Sequence, residues 1–228
     1  MEYYKNGILH HVATTSMLAS AILGVMTKDE QKSLVDFWDE IFNLFQYQVF
    51  LFRYEFLFNP ELSVEELCSE ALQYLVKYTA LQNDSIKQED NQEENEESTS
   101  KKDVDTYTPE HLTICSRSYL NELSGLTQNF LESYYLTLRA CHAMRQRQFD
   151  EKSISKHIQV YGKARISIRE LLYEESLSSV SIKNAIRAFR EEGVLSFLSD
   201  GNGFVFDEQV YNQYINELRT LCRISEQN

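Results

Sequence analysis

At 228 residues and 43% hydrophobic content the chain is long enough for one large domain or two small ones with a real core. Seven glycines and two prolines leave few chain breakers, which disfavours a many-stranded sheet and predicts a mostly α protein. A net charge of −13 argues against non-specific nucleic-acid binding without removing a local basic face.

That charge is uneven. Residues 1–82 hold 11 acidic against 5 basic side chains, residues 83–105 hold 9 against 3, and residues 106–228 hold 15 against 14. Between Arg139 and Arg190 the balance reverses, with 11 bases against 5 acids. Cys68, Cys115, Cys141 and Cys222 show no C-x-x-C spacing, so reduced and mostly buried thiols are expected rather than a disulfide framework or a zinc site.

The chain opens on "YYKNGILHHVATTSMLASAIL", residues 3–23, a helical stretch with Lys5 as its one formal charge, in which no secretory signal is expected. Ile8 to Met26 runs 19 residues without a formal charge, but His10, His11, Thr14, Thr15, Ser16 and Ser20 favour a packed core helix over a membrane span. Thr27 to Glu30 has capping-box spacing and opens a helix apolar at Leu34, Trp38, Ile41, Phe45, Val49, Phe52 and Phe56. From Leu44 to Phe58 that helix is apolar nearly all round, so it is expected to need covering by protein or lipid. Pro60 closes it. Ser63 to Glu66 is a second capping box, before a helix through Leu67, Ala71, Leu72 and Leu75.

Residues 83–105 have only Ile86 and Val104 as aliphatics and are read as an acidic, disordered insert. A short strand at Leu112–Cys115 is followed by a long helix from about Arg117 to Arg147, its apolar stripe at Leu120, Leu123, Phe130, Tyr134, Leu138 and Cys141. Gly125 inside it costs about 1 kcal/mol relative to Ala and is expected to mark a close packing contact. Asp150 is placed as the cap of a helix through Ile154, Ile158 and Tyr161.

The last segment reads as helix, turn, helix, then hairpin. Its second helix, Ser181–Glu192, turns Ile182, Ala185, Ile186 and Phe189 inward and stops at Gly193; "VLSFLSDGNGFVF" is the hairpin. The fold class is therefore mainly α, ending in a winged-helix-like helix–helix–hairpin unit. Its three parts are a helical part at 1–82, the acidic insert at 83–105, and the long helix plus winged-helix-like unit at 106–228. Lys183, Asn184, Arg187 and Arg190 lie on the outer side of the second helix, where a recognition helix would meet nucleic acid. Asp200, Asp207, Glu191 and Glu192 oppose that reading, so nucleic acid is not the expected partner; a free-standing nucleic-acid- or protein-binding module stands as the alternative.

Enzyme motifs are missing. The sequence has no G-x-x-x-x-G-K-[ST] loop, no G-x-S-x-G elbow and no third glycine after Gly201-Asn202-Gly203. His10 and His11 are adjacent, a spacing that does not face one metal on a helix. No catalytic, cofactor-binding or metal residue is assigned.

Four blocks in order, "YYKNGILHH", "LFQYQVFLFRYEFLFNP", "LTQNFLESYYL" and "SVSIKNAIRAFREEGVL", resemble the carboxy-terminal region of the glycerol-3-phosphate and dihydroxyacetone-phosphate acyltransferases. The resemblance runs from Tyr3 to about Leu221 apart from the acidic insert, and is nearest to the animal mitochondrial glycerol-3-phosphate enzymes. It implies a helical domain beside an upstream catalytic domain that moves an acyl group from acyl-CoA to glycerol 3-phosphate, giving lysophosphatidic acid. In that family H-x-x-x-x-D supplies a histidine base and an orienting aspartate. Here Thr15, Ser16, Ser116, Arg147 and Gly162 stand five residues after the five histidines, and the family's "EGTRS" type block is missing too. The resemblance thus implies a chain inactive alone: a fragment, or a subunit whose catalytic half is elsewhere, with the catalytic domain in cis or in trans and a membrane surface as partners. The ending "RISEQN" is unlike a peroxisomal address and favours the mitochondrial outer membrane over the peroxisome. A free-standing fragment would be soluble and cytoplasmic.

Overall fold

The computed structural model describes residues 2–26, 33–77, 80–83, 112–145, 153–197 and 204–223. It is mainly helical. Helix α1 (Glu2–Val25) is followed by a 3-10 turn (Leu34–Phe37), α2 (Trp38–Leu51), a second 3-10 turn (Phe52–Tyr54) and α3 (Val64–Lys77). Strands β1 (Leu81–Asn83) and β2 (Leu112–Ile114) then precede the long α4 (Arg117–Ala143). Helix α5 (Ile154–Ser167), a 3-10 turn (Glu174–Leu177), α6 (Ser179–Glu191), strands β3 (Leu195–Phe197) and β4 (Phe204–Phe206), and α7 (Glu208–Cys222) complete it. The insert at 84–111, the Thr27–Glu30 box, Asp150 and the 198–203 turn lie outside the described residues.

The core is built on α1 and α4, each the other's principal neighbour. Every residue from Thr15 to Leu23 is buried, and so is every residue from Phe130 to Leu138. Three turns of helix without an exposed face need protein on all sides. Helices α2, α3 and α7 complete the cover of α1, while α5, α6, α7 and the Glu174–Leu177 turn cover α4. Of the polar residues that spoke against a membrane span, Ser16 sits on the α1–α4 seam. Ser16 Oγ donates to the Leu123 carbonyl at 2.7 Å and lies 2.8 Å from Thr127 Oγ1. Gln48 Nε2 of α2 donates to the Met17 carbonyl at 2.9 Å. Among the described residues no helix is long and apolar enough to cross a membrane.

Several expected features are present at the expected residues. Ser63 and Glu66 form the capping box reciprocally, Glu66 N to Ser63 Oγ at 3.2 Å and Ser63 N to Glu66 Oε2 at 2.7 Å. Ile182, Ala185, Ile186 and Phe189 of α6 are buried, and Gly193 takes φ +70°, the left-handed conformation that ends a helix most cheaply at glycine. The hairpin pairs Leu195 with Phe206 and Phe197 with Phe204. None of the four cysteines, all among the described residues, is in a disulfide; Cys68, Cys141 and Cys222 are buried and Cys115 is exposed.

Other expectations are corrected. The apolar helix from Leu34 to Phe56 is three pieces, two 3-10 turns flanking α2; of its inward stripe Leu34, Ile41, Phe45, Val49, Phe52 and Phe56 are buried and Trp38 is half-buried. Its second half needs little outside cover. Phe52 and Phe56 are buried against Tyr134 and Phe130 of α4, each pair edge-on with centroids 5.1 Å apart, and Tyr134 meets Phe189 of α6 at 5.9 Å. Phe50 and Leu57 remain out, at 52% and 82% exposure. Helix α4 ends at Ala143, four residues before Arg147. Strand β2 has a partner the sequence did not show: β1, antiparallel with Leu81 opposite Ile114, ties the chain together at the base of the acidic insert.

Gly125 is corrected too. A methyl group there would meet nothing within 4 Å. The close approach is at Gly162 of α5, where a Cβ would press on Leu177 and come within 2.6 Å of Leu136 Cδ2. Glu132 holds the same region from α4: its carboxylate accepts the backbone N–H groups of Leu172 and Tyr173 at 3.0 Å each. Burial raises its pKa, and the two N–H donors oppose that rise.

The two glycines should respond oppositely. Gly125→Ala gains helix propensity with no clash and should stabilise by about 0.5–1 kcal/mol. Gly162→Val overpacks the α4–α5 seam and should destabilise by about 1–3 kcal/mol. Urea unfolding of both variants reads the signs directly.

Candidate functional site

The end of α2 reaches over to α6 through an unusually charged sequence, Arg53-Tyr54-Glu55, set between Phe52 and Phe56. Phe52 and Phe56 go into the aromatic core, so the three residues between them are carried onto the flank of α6. Arg53 Nη2 pairs with Glu191 Oε2 and with Glu192 Oε1, both at 3.0 Å. The Tyr54 hydroxyl bonds the Glu191 carboxylate, and the Tyr54 carbonyl accepts from Asn184 Nδ2 at 3.2 Å. The Arg187 guanidinium stacks 4.0 Å over the Tyr54 ring, and its Nε donates to Glu191 Oε1 at 3.1 Å. Tyr214 of α7 closes the group, donating to Glu192 Oε2 at 3.3 Å. The Tyr54 hydroxyl first, then Arg53 and Arg187, hold the Glu191 carboxyl down to about 2. Burial pushes Glu55 the other way, above the ordinary carboxylate value.

Beside this clasp lies a cleft of about 470 Å³ lined by Ile154 and Ser155 of α5, Lys183, Ile186, Arg187 and Arg190 of α6, and Phe197 of β3. Steps of four and three along α6 put the three cations on one face. Lys183 is exposed and makes no ion pair among the described residues. Arg190 stacks 4.8 Å over Phe197, which meets Phe204 at 4.9 Å. Ile154, Ile186 and Phe197 give the cleft an apolar floor.

The structure therefore gathers the four residues singled out on α6 and divides them. Asn184 and Arg187 are engaged by Tyr54, so α6 does not present a clear recognition face. Lys183, Arg187 and Arg190 open into one concavity. Of the acids that spoke against a basic surface, Glu191 and Glu192 pair with Arg53 and Asp207 caps α7, while Asp200 lies outside the described residues. Sequence reasoning missed Arg53 and Tyr54, although three polar side chains interrupting "LFRYEFLF" were the available signal.

The architecture defines a mainly helical domain on a two-helix spine, with a clasped basic cleft. Residues 1–197 match the family model for the glycerol-3-phosphate acyltransferase C-terminal region, and the chain belongs to that family. The match ends with the last residue of β3, short of the Leu221 limit read from the resemblance, so β4 and α7 lie beyond it. No curated protein matches the chain.

A carboxyl held below its ordinary value stabilises the fold above about pH 4.5 and loses that contribution as the pH falls toward 2. Tyr54→Phe removes the largest cause. It should move the Glu191 titration up toward 4.5, followed by NMR of the side-chain carboxyl, and start acid unfolding at higher pH. An unmoved titration would mean that the clasp does not hold in solution.

Proposed function

We propose that this chain is the non-catalytic C-terminal part of a glycerol-3-phosphate 1-O-acyltransferase, which transfers an acyl group from acyl-CoA to glycerol 3-phosphate and yields lysophosphatidic acid. The carrying observation is the family match over residues 1–197 joined to five histidines, none followed at the fifth position by aspartate. A general base without its orienting carboxylate is a poor proton acceptor for a sugar-alcohol hydroxyl. The role left to the domain is to pack beside the catalytic domain, in cis or in trans, and to support it.

The two exposed apolar side chains at the end of α2, Phe50 and Leu57, are the contact we assign to that neighbour. They flank the segment that the clasp fixes on α6, so they are presented on a braced element rather than a loose loop. The reading extends to a membrane-associated enzyme of glycerolipid synthesis at the mitochondrial outer membrane, supported by the resemblance to the animal mitochondrial enzymes.

Purified residues 1–228 should transfer no acyl group from palmitoyl-CoA to glycerol 3-phosphate. A separately expressed catalytic domain of the family should co-purify with the chain, and Leu57→Glu should weaken that association. Acyl transfer by the chain alone, or no association with the catalytic domain, would overturn the proposal.

A further inference from the structure

We infer that the cleft between α5, α6 and β3 binds a phosphate-bearing ligand with an apolar or planar portion. This goes beyond a supporting role and does not depend on it, because every residue it uses belongs to this chain. Three observations converge. The volume, about 470 Å³, is that of a small-molecule site rather than a groove for a macromolecule. Lys183, Arg187 and Arg190 line one wall; Glu191 pairs with both Arg53 and Arg187 and Glu192 with Arg53, so these two carboxylates face four cations and the wall keeps a positive excess. Ile154, Ile186 and Phe197 line the remainder, which suits a ring or chain attached to the anion.

Two of the three cations are arginines whose orientation is already fixed. Arg187 is held by Tyr54 and Glu191, and Arg190 by Phe197. A guanidinium held in place offers a planar fork of donors to phosphate oxygens without first losing side-chain entropy. Lys183, at the other end of the row, is an exposed point charge with no ion pair among the described residues. Ser155 adds a hydroxyl in the first turn of α5. A carboxylate ligand would use fewer of these donors than a phosphate monoester, with three acceptor oxygens and up to two charges.

The phosphate could be carried by a soluble metabolite or by a lipid headgroup, and the chemistry of the wall is the same for both. The 228-residue chain is titrated with adenosine 5′-monophosphate by calorimetry, and in parallel with phosphatidylcholine vesicles containing or lacking phosphatidic acid. Binding of the nucleotide alone assigns a soluble ligand; binding of the phosphatidic acid vesicles alone assigns a lipid. Either supports the inference if Lys183→Glu and Arg190→Gln each weaken it about tenfold or more. Lys163→Glu is the charge-matched control, an exposed position about 13 Å further along α5 from Ile154. Lys183 is exposed, so its variant keeps the fold if Arg190→Gln does not. No binding to either probe, equal weakening by Lys163→Glu, or binding to duplex DNA with neither phosphate probe bound would overturn the inference.

Discussion

The structure depends on one constraint: α1 and α4 are each buried on every side over three turns, and neither can be stable without the other. Amphipathic helices at a surface can form with a single partner, but a helix apolar all round must be enclosed. The two share the Ser16–Thr127 and Ser16–Leu123 contacts, which satisfy polar groups that would otherwise cost stability inside the core. Because α1 comes from the first third of the chain and α4 from the second half, the parts on either side of the acidic insert form one core. The β1–β2 pair brings together the chain on either side of residues 84–111 in one short ladder.

Enclosure of α4 also sets the position of the basic cleft. Tyr134 in the middle of α4 meets Phe52 from the α2 side and Phe189 from the α6 side, which brings the end of α2 against α6. Once there, Arg53 pairs with Glu191 and Glu192, the two carboxylates at the end of α6, and Arg187 shares Glu191. Two acids at the C-terminus of a helix are opposed by its dipole, and a guanidinium from another element relieves that opposition. The positive wall of the cleft is therefore a tertiary property, made by α2 as much as by the α6 residues that carry its charge.

Legibility in the sequence followed periodicity and local chemistry. The stripe Leu34–Phe56, the Ser63–Glu66 box, the inward face of α6 and the hairpin each depend on residues a few positions apart, and each is found where those residues stand. The enclosure of α4 was hidden, because its stripe of six apolar residues is interleaved with Glu132, Ser133 and Thr137, which read as an outer face. Glu132 is in fact turned inward to hold two backbone N–H groups of the chain after α5. Gly125 and Gly162 show the same limit: which helical glycine faces a neighbour depends on what lies across the seam. The α6 cations could be listed from sequence, but their field could not, since Arg53 lies 138 positions before Glu191.

The family match and the physical domain have different ends. Residue 197 closes β3, yet β3 is paired along its length with β4, and a strand cut from that partner exposes unpaired backbone groups. Helix α7 follows β4 with its own cap, Asp207 accepting from Gln209 and Val210 at 3.0 and 3.1 Å, and packs on both α4 and α1. Ile215, Leu218 and Leu221 are buried there, and Gly24 of α1 is close enough to α7 that a Cβ would lie 3.1 Å from the Thr220 carbonyl. Removing residues beyond 197 would open one side of the two helices that cannot tolerate an open side. The cooperative unit is therefore larger than the matched region, and it includes the hairpin partner that holds Phe197, and with it Arg190, at the floor of the cleft.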